Sequence, residues 1–244
     1  MKIQFLGTGG FHPTERRHTA GVLLPEIGVA FDAGTSAFRL APRLKSPNLF
    51  LFLSHAHLDH ICGLTYLLVP LIQKSIQTCV IHTTAEVIAA SEEHMLKPPI
   101  FPIRPRLDFV EIPEKVEIPA GVVRWHPLHH PGGAIGFRLD LHNGKSIAYM
   151  SDTNANDDSI EFLRGVQVLI HECTYPDSQK QWCDITGHSH TTQVAKLARA
   201  ANVGRLILTH IDPYVEGDDP VVLPDATAIF PNTALAEDLS EFEF

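Results

Sequence analysis

The chain has 244 residues, a hydrophobic fraction of 44% and a formal net charge of −9. That hydrophobic fraction is enough for a folded core. The negative charge argues against a broadly basic surface that binds the phosphate backbone of nucleic acid. No segment has the roughly 18 consecutive apolar residues of a membrane span. The first 13 residues lack the pattern of a signal peptide. We therefore expect a cytoplasmic protein without a membrane partner.

The cysteines show no pattern of a functional site, whereas the histidines are numerous and clustered. Four cysteines (Cys62, Cys79, Cys173 and Cys183) show neither the CxxC spacing of a metal site nor the density of a disulfide-linked protein. We expect them to be buried and reduced, as in the cytoplasm. Histidine occurs 15 times, and several copies stand beside carboxylates. This distribution indicates metal binding or acid–base chemistry.

Short apolar segments and turns rich in Gly and Pro alternate along the first half. The pattern predicts an antiparallel meander of strands, then a buried strand, a further strand and three helical segments. The strands are expected at residues 2–6, 21–24, 29–31, 48–53 and 77–82, and the helical segments at 35–44, 63–73 and 84–97. Residues 98–106 contain four prolines and are expected to form a surface loop.

The second half repeats this order of elements. Strands are expected at residues 122–128, 134–141, 146–150, 168–171 and 205–209, and helices at 158–163 and 191–202. Two halves of this kind predict two mixed sheets packed face to face with helices outside, a four-layer α/β/β/α sandwich. We expect residues 1–244 to form a single domain. The acidic tail, residues 212–244, is expected to cover a sheet edge or a partner surface.

The motif HAHLDH, residues 55–60, follows the predicted buried strand directly. It places four metal-ligand side chains within six residues: His55, His57, Asp59 and His60. Imidazole and carboxylate together favour Zn²⁺, Fe or Mn²⁺ over Ca²⁺ or Mg²⁺. A solvated histidine-rich turn is the simpler alternative, but burying such groups unpaired would be costly.

Three further residues of metal-ligand type each follow a predicted strand of the second half: His130, Asp152 and His210. Any one alone is more typical of a surface or capping residue. All three at strand ends, downstream of the HAHLDH motif, favour a shared metal site. Asp32, before Gly34, is either a turn residue or an acceptor that orients a ligand histidine.

The order HAHLDH, HHP, SDT and LTH resembles the metallo-β-lactamase superfamily from the FLGTGG opening to LTH. The resemblance implies two divalent transition-metal ions, most typically zinc, with manganese or iron as alternatives. It implies one ion on His55, His57 and His130 and the other on Asp59, His60 and His210. Asp152 would bridge them, and Asp59 would also orient or deprotonate the attacking water. His130 is preferred to His129 because the Gly136-Phe137 pair stands at the family's spacing from it.

Two segments, VLIHECTY at residues 168–175 and GHSHTTQ at 187–193, resemble the ribonuclease Z and cyclic-nucleotide phosphodiesterase branch. In that branch the first histidine of the second segment protonates the leaving oxygen, and His188 matches it. The alternative for His188 is a packing residue at a helix start. His171 and His190 are expected to be structural.

One departure from ribonuclease Z concerns the substrate. Those enzymes carry a long tRNA-gripping insertion between the ligands that match His130 and Asp152, which here are only 22 positions apart. The short spacing and the negative charge disfavour pre-tRNA. The chain is more similar to the smaller phosphodiesterases of the branch, although it lacks the cysteine-rich zinc site of the phosphonate-pathway enzyme. We therefore expect a phosphodiesterase that acts on a small-molecule or short nucleotide substrate.

Four other functions remain open at this point. An esterase, lactonase or β-lactam hydrolase of the same fold is disfavoured because a proton donor such as His188 suits an alkoxide leaving group. A short ribonuclease Z-like RNA endonuclease is a second alternative. A flavodiiron-type oxidoreductase would need a flavin domain, and an inactive regulatory protein would not need an intact ligand set. Whether the chain forms a homodimer is left open by the sequence.

Overall fold

The computed structural model describes residues 1–215 and 217–244. The chain divides into two compact units, Met1–Pro113 with Asp238–Glu243 and Glu114–Glu237 with Phe244. Assignment of residues 1–244 to a single domain stays a prediction. Within the described ranges, every helix is too short or too polar to cross a bilayer.

The strands, in chain order, are β1 (Lys2–Gly7), β2 (Gly21–Leu24), β3 (Val29–Phe31), β4 (Asn48–Phe52), β5 (Thr78–Thr83), β6 (Asp108–Glu111), β7 (Lys115–Ile118), β8 (Gly121–Leu128), β9 (Ala134–Leu141), β10 (Ser146–Met150), β11 (Val168–Glu172), β12 (Arg205–Thr209), β13 (Thr233–Leu235) and β14 (Glu241–Glu243). The α-helices are α1 (Leu58–Ile61), α2 (Leu68–Ile72), α3 (Ala85–Ala89), α4 (Ile160–Leu163), α5 (Cys183–Thr186), α6 (Thr191–Ala200) and α7 (Leu223–Ile229). Short 3₁₀ turns cover Thr35–Arg39, Ala41–Arg43, Cys62–Leu67, Asp157–Ser159 and Asp177–Trp182, and a π-helical turn covers Ala90–Met95.

The sheet of the first unit has seven strands among the described residues, in the order β14-β1-β2-β3-β4-β5-β6. Strands β14, β1, β2 and β3 pair antiparallel, which confirms the predicted meander. Strands β3, β4, β5 and β6 pair parallel. Loops that follow β3 and β4 therefore leave the same edge of the sheet, and both carry predicted site residues.

The core of the first unit lies between this sheet and the helical segments that follow β3, β4 and β5. Leu49 and Leu51 of β4 pack there with Leu40, Leu64 and Val87 from those segments. Each fully buried leucine contributes about 1.5–3 kcal/mol relative to an exposed one. This packing fixes the end of β4, from which the HAHLDH motif begins.

The second unit repeats the arrangement, with seven described strands in the order β13-β12-β11-β10-β9-β8-β7. Strands β7 to β10 pair antiparallel, and β10 to β13 pair parallel. Leu169 and Leu206 of the sheet pack with Leu163, Val194 and Ala226 from α4, α6 and α7. The carboxyl ends of β10, β11 and β12 consequently share one edge.

Two helical predictions need correction. Residues 35–44 form two 3₁₀ turns rather than one helix, and Phe38 is 53% exposed although Leu40 is buried. Pro42 lies in the first turn of the second segment and lacks the N–H that a continuous helix would need. Residues 63–73 likewise combine a 3₁₀ turn with the short helix α2, which contains Pro70.

Strands at the sheet edges were the hardest to predict. The mostly exposed strand β6 and the alternating strand β7 were missed, because neither contains an apolar run. The acidic tail adds α7 and an edge strand to each sheet, β13 beside β12 and β14 beside β1. The expectation that the tail covers a sheet edge is therefore confirmed.

Candidate metal centre

In the first unit, the HAHLDH motif lies immediately after β4, and Asp32 lies immediately after the neighbouring parallel strand β3. His55 and His60 are buried, Asp59 is half-buried and His57 is exposed. The donor atoms of His55 and His57 lie within 4.8 Å of each other, as do those of Asp59 and His60. The motif thus forms two adjacent pairs of metal-ligand atoms.

Asp32 orients two of these histidines. Its Oδ2 accepts a hydrogen bond from His60 Nδ1 at 2.8 Å and another from the Ser54 hydroxyl at 2.9 Å. The Ser54 hydroxyl in turn lies 3.0 Å from His55 Nδ1 and can accept its proton. Both histidines then carry hydrogen on Nδ1 and a lone pair on Nε2, the arrangement that a metal ligand requires.

Asp32 itself adopts a positive φ of 57° although it is not glycine. Such a backbone is sparsely populated, but Asp tolerates it better than most residues. The Ser54 N–H, 2.8 Å from Asp32 Oδ1, helps to hold it. Of the two roles considered for Asp32, the structure shows the acceptor that orients a histidine.

In the second unit, the shared edge of β10, β11 and β12 carries Asp152, Glu172 and His210. The two carboxylate oxygens of Asp152 face different histidines. Oδ1 lies 3.1 Å from His210 Nε2, and Oδ2 lies 3.8 Å from His130 Nε2. A carboxylate placed in this way can bind two ions at once, one beside each imidazole.

The choice of His130 over His129 agrees with their surroundings. The His130 side chain is 3% exposed, whereas that of His129 is 60% exposed and contacts Asp158. His130 Nδ1 donates to the Gly187 carbonyl at 3.0 Å, which leaves its Nε2 lone pair on the side of Asp152. Gly187 has a φ of +71°, and a Cβ there would lie 2.3 Å from Pro131 Cδ and 3.0 Å from His130 Nδ1.

Glu172 is fully buried and accepts five hydrogen bonds. Its Oε1 binds the N–H groups of Thr153 and Ser189 and Nδ1 of His188, and its Oε2 binds the N–H and hydroxyl of Thr174. The Thr174 hydroxyl also lies 3.2 Å from His210 Nδ1, so it can accept that proton. Glu172 therefore holds His188 directly and His210 through Thr174.

His188 lies beside each of the two candidate ligand rings of this unit. Its ring centroid is 5.0 Å from that of His130 and 5.4 Å from that of His210, the latter in a stacked arrangement. The 3.0 Å contact with Glu172 uses Nδ1, and a protonated ring also carries a proton on Nε2. Burial raises the pKa of the Glu172 carboxyl, but the charge and hydrogen bond of His188 outweigh it, and that pKa lies below its usual value.

The two other histidines of these segments have local partners. His171 is buried, and its Nδ1 donates to the Glu172 carbonyl at 2.6 Å. Burial lowers the pKa of the His171 imidazole, which favours the neutral form. His190, at the start of α6, contacts Asp177 at 2.7 Å. Both arrangements are consistent with the structural roles expected for them.

These donor groups fit divalent transition-metal ions. Four of the histidines (His55, His60, His130 and His210) can hold their Nδ1 proton against an oxygen acceptor and present Nε2. Neutral imidazole combined with carboxylate suits zinc, manganese or iron, whereas calcium and magnesium prefer all-oxygen sites. Each unit thus contains a preorganised group of metal-ligand atoms, and the coarse expectation of divalent metal binding is supported.

Sequence reasoning missed the roles of Glu172, Thr174 and Ser54. The LIHE segment was recognised only as a family feature, although Glu172 stands at a strand end just as Asp152 and His210 follow theirs. That position was the available signal. The two hydroxyl residues gave none, because each acts only as a link between a carboxylate and a histidine.

Two curated relatives align with the whole chain. Ribonuclease Z of Archaeoglobus fulgidus is 27% identical, over 100% of this chain and 97% of its own length. Ribonuclease BN of Escherichia coli is also 27% identical, over 99% of both chains.

Solved structures show the same fold at lower identity. The metallo-β-lactamase fold protein YhfI from Bacillus subtilis has a TM-score of 0.82 at 20% identity and covers 99% of both chains. The short form of human tRNase Z has a TM-score of 0.76 at 22% identity, and covers 100% of this chain and 99% of its own. A diphosphatase of the PhnP family has a TM-score of 0.74 at 19% identity, over 100% and 97%. Together with the two mixed sheets, these likenesses confirm the predicted fold class.

A family comparison supplies the remaining observation. Residues 29–211, about three quarters of the chain, match the family described as the beta-lactamase superfamily domain. The matched segment runs from β3 past His210 and includes all of the predicted metal ligands. With relatives named as ribonucleases, the predicted hydrolase class is confirmed. The chain belongs to the beta-lactamase superfamily.

Proposed function

We propose that the protein is a dinuclear metal-dependent phosphodiesterase that hydrolyses a small or nucleotide-type phosphodiester. The observation that carries this proposal is the arrangement around Asp152. Its two oxygens face the Nε2 atoms of His130 and His210, and His188, held by Glu172, lies beside the same two rings. This combines a bridging ligand with a proton donor placed beside it.

The proposed ligand set is the one that the family resemblance implies. One ion would be held by His55, His57 and His130, the other by Asp59, His60 and His210, and Asp152 would bridge them. Family membership supports this set because the matched segment, residues 29–211, contains all seven residues. The Nδ1 contacts support it independently, since in four of the five histidines Nδ1 faces an oxygen acceptor, which assigns the lone pair to Nε2. Zinc is the proposed metal, with manganese or iron as alternatives.

The remaining chemistry belongs to the protein. When bound, two such ions supply an activated water and neutralise the charge of the phosphate. Asp59 would orient that water or accept its proton. His188 would give the proton on Nε2 to the leaving oxygen, and the buried Glu172 carboxylate would hold the ring and favour its protonated form.

The proposed small substrate is supported by the connection between His130 and Asp152. Strands β9 and β10 fill most of this segment and are joined by a turn of only four residues, 142–145. No arm extends from it. The alignment with ribonuclease Z of Archaeoglobus fulgidus runs over 298 positions, 54 more than this chain has, so that relative carries segments absent here. A short RNA endonuclease remains the second candidate, favoured by the ribonuclease names of the relatives.

The location and the assembly are further proposals. All four cysteines are free, and three of them are buried, which supports the cytoplasm as the proposed compartment. Burial raises the pKa of the Cys79 thiol to about 12, so this cysteine is an inert packing residue rather than a reactive one. A homodimer stays a prediction.

A substrate panel tests the proposed activity. The metal-loaded protein is expected to hydrolyse bis-p-nitrophenyl phosphate. Its kcat/KM for nitrocefin and for an acyl-homoserine lactone should be at least about 100-fold lower. The reason is that two bound ions would neutralise the charge of a phosphodiester, worth several kcal/mol in the transition state, whereas a lactone and the β-lactam amide carry no such charge at the reacting group. Spectrophotometric rates with equal enzyme and metal provide the comparison. Efficient lactone or nitrocefin turnover without phosphodiester turnover would reject the proposal.

A further inference from the structure

The tip of the first loop in the first unit carries an unusual phenylalanine. Phe11 is 71% exposed, although large aromatic side chains are normally buried in a core or an interface. Its ring lies 5.3 Å from that of His12, with an angle of 59° between the planes. Two adjacent rings therefore project from one loop and form a small aromatic surface, which we call the aromatic tip.

The aromatic tip is attached to the candidate catalytic cluster. The Phe11 N–H donates to Asp59 Oδ2 at 2.8 Å. Asp59 is the residue of the HAHLDH motif expected to be both metal ligand and water-orienting group. The Phe11 side chain is thus anchored, through one backbone hydrogen bond, next to the place where the scissile phosphate is expected.

The loop holds Phe11 in a conformation that phenylalanine avoids. Its φ is +59°, in the left-handed region that favours glycine. The base of the loop is fixed by hydrogen bonds from Gly9 N to His18 O at 2.9 Å and from Thr14 N to Arg17 O at 2.8 Å. Backbone strain of this kind concentrates at ligand-binding positions, where the surrounding structure maintains it. A glycine at position 11 would relieve the strain, so neither backbone nor burial explains a phenylalanine there.

We propose that the aromatic tip, Phe11 with His12, binds the base of a nucleotide-type substrate by stacking. The proposal rests on the phosphodiesterase function proposed above and narrows its substrate class to phosphodiesters that carry a nucleobase. An exposed aromatic ring offers a face that any base can stack on, independent of sequence. The fixed loop presents that face without a cost of ordering on binding.

Equilibrium binding tests the aromatic tip without turnover. Adenosine 5′-monophosphate and ribose 5-phosphate share a sugar and a phosphate and differ by the base. Titration calorimetry of the metal-loaded protein is expected to show adenosine monophosphate binding roughly 10-fold more tightly, the usual size of one base–aromatic stack. Phe11→Gly should remove this difference while leaving ribose 5-phosphate affinity within about twofold, since the backbone contact to Asp59 persists.

Three comparisons complete this experiment. Phe11→Tyr keeps a ring and should retain the preference for the base. Phe38→Ala removes another exposed phenylalanine of the same unit and should change neither affinity. The thermal midpoint of Phe11→Gly should equal or exceed that of the wild type, because glycine accepts the positive φ.

The results that would reject base stacking by the aromatic tip differ from those that would reject the phosphodiesterase function. Equal affinities of the wild type for both ligands, no binding of either, or an unchanged base preference in Phe11→Gly would each reject the stacking role. The phosphodiesterase proposal would stand or fall separately, on the substrate panel. A wild type that binds adenosine monophosphate through Phe11 but cleaves no phosphodiester would retain the aromatic tip and reject the enzyme.

Discussion

Asp152→Ala is expected to lose at least one metal ion per chain and to reduce kcat/KM by at least roughly 10³-fold. Asp152 is the carboxylate whose two oxygens face His130 and His210, so its removal takes a ligand from both proposed ions. A metal ion supplies several kcal/mol of charge stabilisation in the transition state, and about 1.4 kcal/mol corresponds to a tenfold change in rate. Elemental analysis and turnover of bis-p-nitrophenyl phosphate, measured on the same preparation, provide the two readouts.

Asp158→Ala is the matched control for this variant. Asp158 is a neighbouring aspartate whose side chain is 72% exposed and lies 3.3 Å from the exposed His129. Its removal should leave metal content and rate unchanged within about twofold, as for most exposed ion pairs. If Asp152→Ala behaved like this control, the bridging role would belong to another residue.

His188→Ala is expected to keep its metal ions and fold, yet to lose roughly 10²–10⁴-fold in kcat, the usual size of a general-acid contribution. The ring lies beside both His130 and His210, and its Nδ1 faces the buried Glu172 carboxylate, whose charge favours a protonated ring that can donate a proton. The loss should be smaller for a p-nitrophenyl ester than for an alkyl ester, because p-nitrophenolate needs little protonation. Rates for both esters, with metal content and circular dichroism, measure the effect.

His190→Ala supplies a histidine control for His188→Ala. His190 lies two residues away, is half-buried and pairs with Asp177. Its loss should cost at most a few-fold in kcat, since the protein still retains Glu172 and His188. Equal losses of His188→Ala on good and poor leaving groups would contradict proton donation and indicate substrate positioning. A metal-depleted His188→Ala would instead identify it as a ligand or a structural residue.

The sequence predicted those parts of the fold and site that depend on local pattern. Apolar runs located β4, β9, β10 and β12 to within a residue, because buried strands need continuous or alternating apolar side chains. Dense motifs located the HAHLDH cluster, since four ligand types in six positions rarely arise as a surface turn. The single residues Asp152 and His210 became credible only through their shared position after strands.

The parts that were not predictable depend on contacts between distant segments. Glu172 acquires its role because two other segments direct the N–H groups of Thr153 and Ser189 at it. Phe11 acquires its proposed role in substrate binding from a contact with Asp59, 48 positions away. The predictions of edge strands and 3₁₀ turns failed for another reason. Exposed strands and proline-containing turns have only a weak periodicity of apolar residues.

The metal content of the wild-type protein tests the central claim most directly. After purification without metal, reconstitution with excess Zn²⁺ and removal of unbound ion, elemental analysis should give two ions per chain. Seven ligand residues exceed what one tetrahedral ion with an open position can use, so two ions are required to employ them. Return of bis-p-nitrophenyl phosphate turnover should follow the binding of both. A content of one ion or fewer under these conditions, or full turnover by the metal-free protein, would contradict a dinuclear hydrolase.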